Sequence, residues 1–269
     1  MLELHVDQFP IVESFFINKK NYIPALSVIH GNYPGRVFVD NAQIPNIAIV
    51  WAIGRWMYLE GSLSSLKNEF VVNSFIENVV IPDCRERHTN WFEIYTSDDE
   101  QWDKLFLAEI DYIKVDKHYE SVYTLNLSKF NQVKHKIASA EDEIEVRLLD
   151  FDILPESFYH VSYISEKFKS KQSQGVQIKK DNQVVTICKN NGFIFRNEYF
   201  IDIDTLAQAE RGKGYATIAA IQLIDHLLEG EMYPLWETTH ENIPSHKLAL
   251  KLGFEVRENY PVYAFMIEE

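Results

Sequence analysis

Residues 209–228 read AERGKGYATIAAIQLIDHLL, a basic, glycine-punctuated turn running straight into an apolar-periodic helix. Glycines at 212 and 214 let the backbone bend and approach a ligand closely. The first amides of the helix have no internal partners and point outward at the positive end of its dipole. That geometry suits a phosphate group. Arg211 and Lys213 add charge, and the small Ala216 leaves room beside the first turn. The stretch is not a P-loop, because the required Gly-Lys-Ser/Thr spacing is missing, and it is not a G-x-G-x-x-G dinucleotide turn. By itself it also reads as a plain solvated turn.

Working outward, EYFIDIDT (198–205) before the turn alternates isoleucine with aspartate. It is expected to be a strand with one apolar face and one carboxylate face. GVQIKKDNQVVTICKNNG (175–192) gives two β-rich runs joined at Asp181-Asn182, a hairpin. After the helix, YPLWETT (233–239) is a short strand. NIPSHKLALKLGF (242–254) is a helix with a proline in its first turn and Gly253 as its stop. PVYAFMIEE (261–269) is a last strand. A strand over 143–149 and a helical region over 155–169 complete this half. The order defines an α/β (α+β) class with a mixed sheet.

The first half is harder to read. YIPALSVIH (22–30) and GRVFVDN (35–41) are expected as strands around the turn-like GNYPG. PNIAIVWAIGRWMYLEG (45–61) reads as a buried strand pair. NEFVVNSFIENVVIPD (68–83) has helical spacing and is expected to stop at its proline. WFEIYTSDDEQWDKLFLAEI (91–110) reads as a strand, then a helix capped by Ser97 or Asp98. No catalytic spacing stands out here, and Trp51 and Trp56 read as core. The polar run KFNQVKHKIASAEDEIEV (129–146) marks the boundary, giving domains 1–138 and 139–269.

Bulk properties exclude several classes. With 269 residues and 46% hydrophobic composition, the chain can build one large core or two modest ones. Its net charge of −14 argues against nucleic acid as a partner. It is compatible with a cationic or amine-bearing substrate, and equally with simple solubility. The two cysteines, Cys84 and Cys188, lie in no metal-ligand spacing, so no metal site is expected and a reducing cytoplasm fits. The most apolar window, IPNIAIVWAIG (44–54), is followed by Arg55 and is far shorter than the ~20 residues of a membrane helix. The opening residues carry acids where a signal peptide has basic ones. The expectation is a cytoplasmic chain with no membrane partner; oligomeric state is not readable.

The second half resembles the GNAT superfamily of N-acetyltransferases. That family's coenzyme A signature is Arg/Gln-x-x-Gly-x-Gly/Ala, and Arg211, Gly214 and Ala216 match it in register. The family has a strand just before it and a later Asn-led helix ending in Leu-Gly-Phe; here these are Asn242 and Leu252-Gly253-Phe254. The whole length resembles a two-domain GNAT group that includes zwittermicin A resistance-type enzymes, through IDIDTLAQAERGKGYA, YPLWETTHENIPSHKLALKLGF and YPVY at 260–263. The resemblance implies a C-terminal acyl-CoA N-acyltransferase fold with a mixed, mostly antiparallel sheet. The N-terminal α/β domain would be a companion, and its strand-rich order would allow a degenerate copy of the same fold.

It further implies that acetyl-CoA (coenzyme A) binds with its pyrophosphate on the amides from Arg211, Gly212, Lys213, Gly214 and Tyr215 to Ala216. The pantetheine arm would pair with backbone near Leu206, where the strand splays from its neighbour. Asn242 would support the cofactor. The implied activity is transfer of an acetyl group to a primary amine of a small molecule by direct attack. Asp202 and Asp204 share a strand face with Leu206 and are candidate bases, or else exposed strand carboxylates. Glu237 is a third candidate; His240 and His246 are proton carriers or ordinary surface and capping groups. Two positions depart from the family. Its usual glutamate base falls at Phe200 and its usual tyrosine acid at Ala249, with Tyr260 and Tyr263 as substitutes or packing residues. A non-catalytic acyl-CoA-binding module and a pure interaction protein therefore stand as alternatives.

Overall fold

The computed structural model describes residues 1–52, 56–63, 66–107, 113–137, 144–149 and 174–268. The region expected to be helical at 155–169 lies outside them. By contacts the chain divides into two compact units, Met1–Glu120 with Asn259–Glu269, and Ser121–Glu258. This division differs from the composition boundary at 138: the segment 121–138 joins the second unit and the last eleven residues, 259–269, join the first.

In unit 1, β1 (Leu2–Glu3), β2 (Gly35–Val39), β3 (Ile47–Ala52), β4 (Trp56–Gly61) and β5 (Trp91–Tyr95) neighbour one another in that order. The β1–β2, β2–β3 and β3–β4 pairs are antiparallel, and β4–β5 is parallel. Beyond β5 comes the later part of β12 (Phe254–Ile267), antiparallel over Val262–Met266. The helices are α1 (Glu13–Phe16), α2 (Ile23–Ile29), α3 (Leu66–Phe75), α4 (Ile81–Glu86) and α5 (Glu100–Phe106). A π-helical turn, Ile76–Val80, joins α3 to α4. The core packs Trp102, Phe92, Phe106, Phe75 and Phe265 among aliphatic residues. Each such buried side chain contributes about 1.5–3 kcal/mol.

Unit 2 repeats that pairing order. It contains β7 (Glu145–Leu148), β8 (Gly175–Lys180), β9 (Gln183–Phe195), β10 (Glu198–Thr205) and β11 (Tyr233–Thr239) as successive neighbours, followed by β6 (Ile113–Leu125), of which Ser121–Leu125 belong here. The first three pairs are antiparallel and β10–β11 is parallel. The helices are α6 (Leu127–Ile137), α7 (Tyr215–Leu228) and α8 (Ile243–Lys251). One face of α7 buries Ala219, Ala220, Leu223 and Ile224 with Val176, Ile178 and Tyr199 of the strands. The sheet is mixed and mostly antiparallel, as the resemblance implied.

Three local expectations are corrected. Residues 22–30 form α2, not a strand. The segment is short and uniformly buried, so periodicity is silent, and Pro24 sits in the first turn, where proline favours a helix. The helix through 68–83 does not end at its proline. The π-helical turn precedes Pro82, whose missing amide is tolerated near the start of α4, and the helix continues to Glu86. The cap of α5 is Asp99, whose carboxylate accepts the Gln101 amide at 3.0 Å, while Ser97 accepts from the Trp102 indole. The hairpin at Asp181-Asn182 has both residues at positive φ, +50° and +62°, a type I′ turn.

No helix among the described residues is long and apolar enough to cross a membrane. Cys84 and Cys188 are both unpaired and buried. Burial pushes the Cys84 thiol up to about 11 and the Cys188 thiol higher still. Both should therefore resist a thiol-specific reagent in the native protein at about pH 8 and react fully in denaturant. Fast labelling of the native protein would contradict this packing.

Candidate functional site: a strand gap and a helix mouth

β10 is paired on one side along its whole length and on the other only at its start. Its ladder with β9 reaches Thr205↔Thr186. Its parallel ladder with β11 consists of Glu198↔Tyr233, Tyr199↔Pro234 and Phe200↔Leu235 among the described residues. The divergence coincides with an irregularity on the other side. There β10 advances from Tyr199 to Ile201 while β9 steps from Ile194 to Asn190, and Gly192 takes φ +93°. The extra residues are on β9, so the bulge bends and twists β9 beside the point where the β10–β11 ladder stops. The far ends of both strands are left with backbone facing a gap.

β10 leads directly to the helix mouth. Leu206 is exposed, and its amide donates to the Val185 carbonyl at 2.9 Å. A single 3-10 turn, Gln208–Glu210, follows. Gly212 and Gly214 take φ +80° and +86°, the left-handed region where a side chain is strained. A Cβ at either position would meet nothing within 4 Å, so the space around this turn is open. Gly214 is the N-cap of α7 and offers no side-chain cap. The first intrahelical bond runs from the Ile218 amide to the Gly214 carbonyl at 3.1 Å. The amides of Tyr215, Ala216 and Thr217 precede it and are left pointing out of the helix end.

The cations of the turn are held by weak surface pairs. The Lys213 ammonium donates to Glu210 at 2.9 Å, and Lys180 lies 3.6 Å from the same carboxylate. The Lys213 hydrogen bond holds the Glu210 carboxyl below its ordinary range, aided by Lys180 and opposed by desolvation. Arg211 donates to the Thr205 carbonyl at 3.2 Å and lies 3.9 Å from Asp204. Exposed pairs contribute at most about 1 kcal/mol, so a diphosphate can displace them. The Tyr215 ring is buried in the unit 2 core, leaving only its amide for a ligand. Asn242 is the N-cap of α8 and accepts the Ser245 amide at 3.2 Å.

The proposed bases separate into different environments. Asp202 faces Lys189 across the strand pair and forms an ion pair with its ammonium, which is buried. Asp204 is exposed. Glu237 is half-buried on β11. Phe200 and Ala249 are 1% and 0% exposed, so the places of the usual base and acid are filled by core side chains. Tyr260 and Tyr263 belong to unit 1, where they donate to Glu120 and Asp103 at 3.0 and 2.8 Å. His240 is exposed, and His246 is half-buried with both ring nitrogens engaged, by Tyr123 and by the Thr239 carbonyl. Tyr123 carried no local signal, because it lies on β6, far from α8 in sequence.

Unit 1 has a matching strand pair whose ends are joined by side chains. The β4–β5 ladder ends at Tyr58↔Tyr95. Beyond it, Glu60 accepts from Ser97 at 3.1 Å and from Tyr22, with Lys19 at 3.7 Å. The cradle described above belongs to unit 2.

A parallel strand pair that opens toward a glycine-rich helix mouth defines an acyl-CoA-type N-acyltransferase fold. The comparisons agree. The chain belongs to the GNAT acetyltransferase family, whose model matches residues 14–263, and it is an acyltransferase. It is 23% identical over 270 residues to the Bacillus subtilis protein described as uncharacterized N-acetyltransferase YdfB, covering 97% of each chain. A GCN5-related N-acetyltransferase-like protein from Streptococcus suis 89/1591 has a similar structure, with TM-score 0.67, 20% identity, and coverage of 96% of this chain and 98% of that one. A tandem GNAT protein from the clavulanic acid biosynthesis pathway gives TM-score 0.61 at 9% identity, covering 96% and 94%.

The surroundings of Asp202 predict a structural role for it. Asp202→Asn removes the negative charge facing the buried Lys189 ammonium and should lower stability by about 1–3 kcal/mol in urea unfolding. Asp204→Asn should stay within about 0.5 kcal/mol of the parent. An Asp202→Asn protein of unchanged stability but lost activity would instead make Asp202 a base.

Proposed function

We propose that the chain is an acetyl-CoA-dependent N-acetyltransferase that acylates a primary amine of a small molecule by direct attack. The observation that carries this reading is the continuity of the β10–β11 gap with the open mouth of α7. An extended amide chain fits the unpaired strand backbone, and its diphosphate end fits the outward amides. The backbone from Arg211 to Ala216 would hold the pyrophosphate, with Arg211 and Lys213 exchanging their surface carboxylates for it. Backbone near Leu206 would hold the pantetheine arm. Asn242 would keep the entry to α8 in shape beside it.

When bound, acetyl-CoA supplies an activated thioester carbonyl. The chain's own part is to position the amine and carry its proton. Asp204, exposed, and Glu237, half-buried on β11, are the carboxylates we assign to attracting a cationic amine; Asp202 faces Lys189. The acidic chain as a whole favours such a substrate. We place the cofactor cradle in the second half of the sequence, residues 139–269, and assign residues 1–138 a companion role, which includes supplying residues 121–138 to the second unit. Two buried, unpaired cysteines accord with a reducing, cytoplasmic setting.

The buried Phe200 and Ala249 favour one rival, a module that binds acyl-CoA without turnover. A single series separates these readings. Acetyl-CoA at about a hundred times its Kd should stabilise the native state by roughly 2.7 kcal/mol and raise Tm. Gly214→Glu meets open space but strains a backbone at φ +86°; it should fold with a lower Tm than the parent, and its carboxylate should abolish the rise. Thiol release with an amine panel then marks the enzyme. A Tm rise without thiol release would mark the binding module, and no rise in the parent would overturn the cofactor site.

A further inference from the structure

The Tyr123–His246 pair sits at the end of β11, with the Tyr123 ring packed in the unit 2 core and its hydroxyl on the His246 ring. The His246 Nε2 lies 3.0 Å from the Thr239 carbonyl oxygen, which can only accept, so Nε2 carries a proton. Nδ1 faces the Tyr123 hydroxyl at hydrogen-bond distance. In the neutral ring Nδ1 must accept, so Tyr123 donates to it. Thr239 is the last residue of β11, at the open end of the gap between β11 and β10. His246 lies in the first turns of α8, one turn before Ala249 and on the same face. The Tyr123 hydroxyl, delivered from β6, thus reaches the helix face on which the resemblance places a tyrosine that this chain lacks.

Taking the acetyltransfer reading as its basis, we propose that Tyr123 and His246 form the proton relay of the reaction. Attack by the amine leaves its nitrogen with a proton to lose, and the departing sulfur needs one. The nitrogen's proton passes to the Tyr123 oxygen while Tyr123's own proton shifts to Nδ1, giving a neutral phenol and a charged imidazole. As the carbon–sulfur bond breaks, its electron pair goes to sulfur. The Tyr123 proton moves to sulfur, and the Nδ1 proton returns to the Tyr123 oxygen. The pair ends as it began, and one proton has moved from nitrogen to sulfur. Tyr123 is the catalytic residue of this relay. His246 acts through it as a positioning residue and proton store, with its tautomer fixed by Thr239.

Two conservative variants test the relay, Tyr123→Phe and His246→Gln. Thiol release with acetyl-CoA should show kcat falling about a hundredfold in each, with KM near the parent value. The double variant should be no slower than the slower single, because both remove one relay. The rise of Tm on adding acetyl-CoA should persist in both variants. Long-range nitrogen–proton NMR should show His246 as the Nε2–H tautomer in the parent and in Tyr123→Phe, because the Thr239 carbonyl sets it. Either variant within about threefold of the parent kcat, losses that multiply in the double variant, or an Nδ1–H ring would overturn the relay. So would a parent that binds acetyl-CoA but releases no thiol to any amine or to water. A parent whose Tm ignores acetyl-CoA fails at the earlier step, the cofactor site. Should Tyr123→Phe fail to fold, His246→Gln carries the test.

Discussion

The early end of the β10–β11 ladder is the constraint on which the site depends. Backbone amides and carbonyls inside a sheet are normally spent on their neighbours. Here the ladder with β11 stops at Phe200, so one side of β10 continues without it, while β9 holds the other side to Thr205. Beyond Thr205 the chain reaches Gly212 and Gly214, whose left-handed backbone starts α7 with outward amides. Gap and helix mouth are therefore consecutive along the chain, at the C-terminal end of β10.

Charge placement follows the same logic. A chain of net charge −14 has little reason to attract a phosphate-bearing ligand over its general surface. It concentrates attraction where the α7 dipole, Arg211 and Lys213 coincide, and it holds those side chains in place with Asp204 and Glu210. Unit 1 carries the same order of strand pairings but uses Glu60, Ser97 and Tyr22 to join the ends of its parallel pair. One arrangement of strands thus leaves a gap in one unit and carries a hydrogen-bond cluster in the other.

Much of the cradle was legible in the sequence because its signals are local. The glycines at 212 and 214, the alternation of EYFIDIDT, the cap at Asn242 and the hairpin at Asp181-Asn182 each act within a few residues. Misread parts depended on distant partners or on uniform burial. Residues 22–30 lost their periodicity because both faces of α2 are buried. The thirteen-residue β6 was missed amid polar residues, and with it Tyr123, whose partner His246 lies on α8. Nor does sequence show that the last eleven residues pack with the first unit, since only tertiary contacts decide that. The sequence leaves Asp202 open between a base and an exposed strand carboxylate, because its partner Lys189 lies on the neighbouring strand.

The most direct test is a crystal structure of the protein with coenzyme A. It should place pyrophosphate oxygens about 2.7–3.2 Å from amide nitrogens between Gly212 and Ala216, with the pantetheine arm between β10 and β11. Coenzyme A bound elsewhere, with those amides facing solvent, would contradict the account.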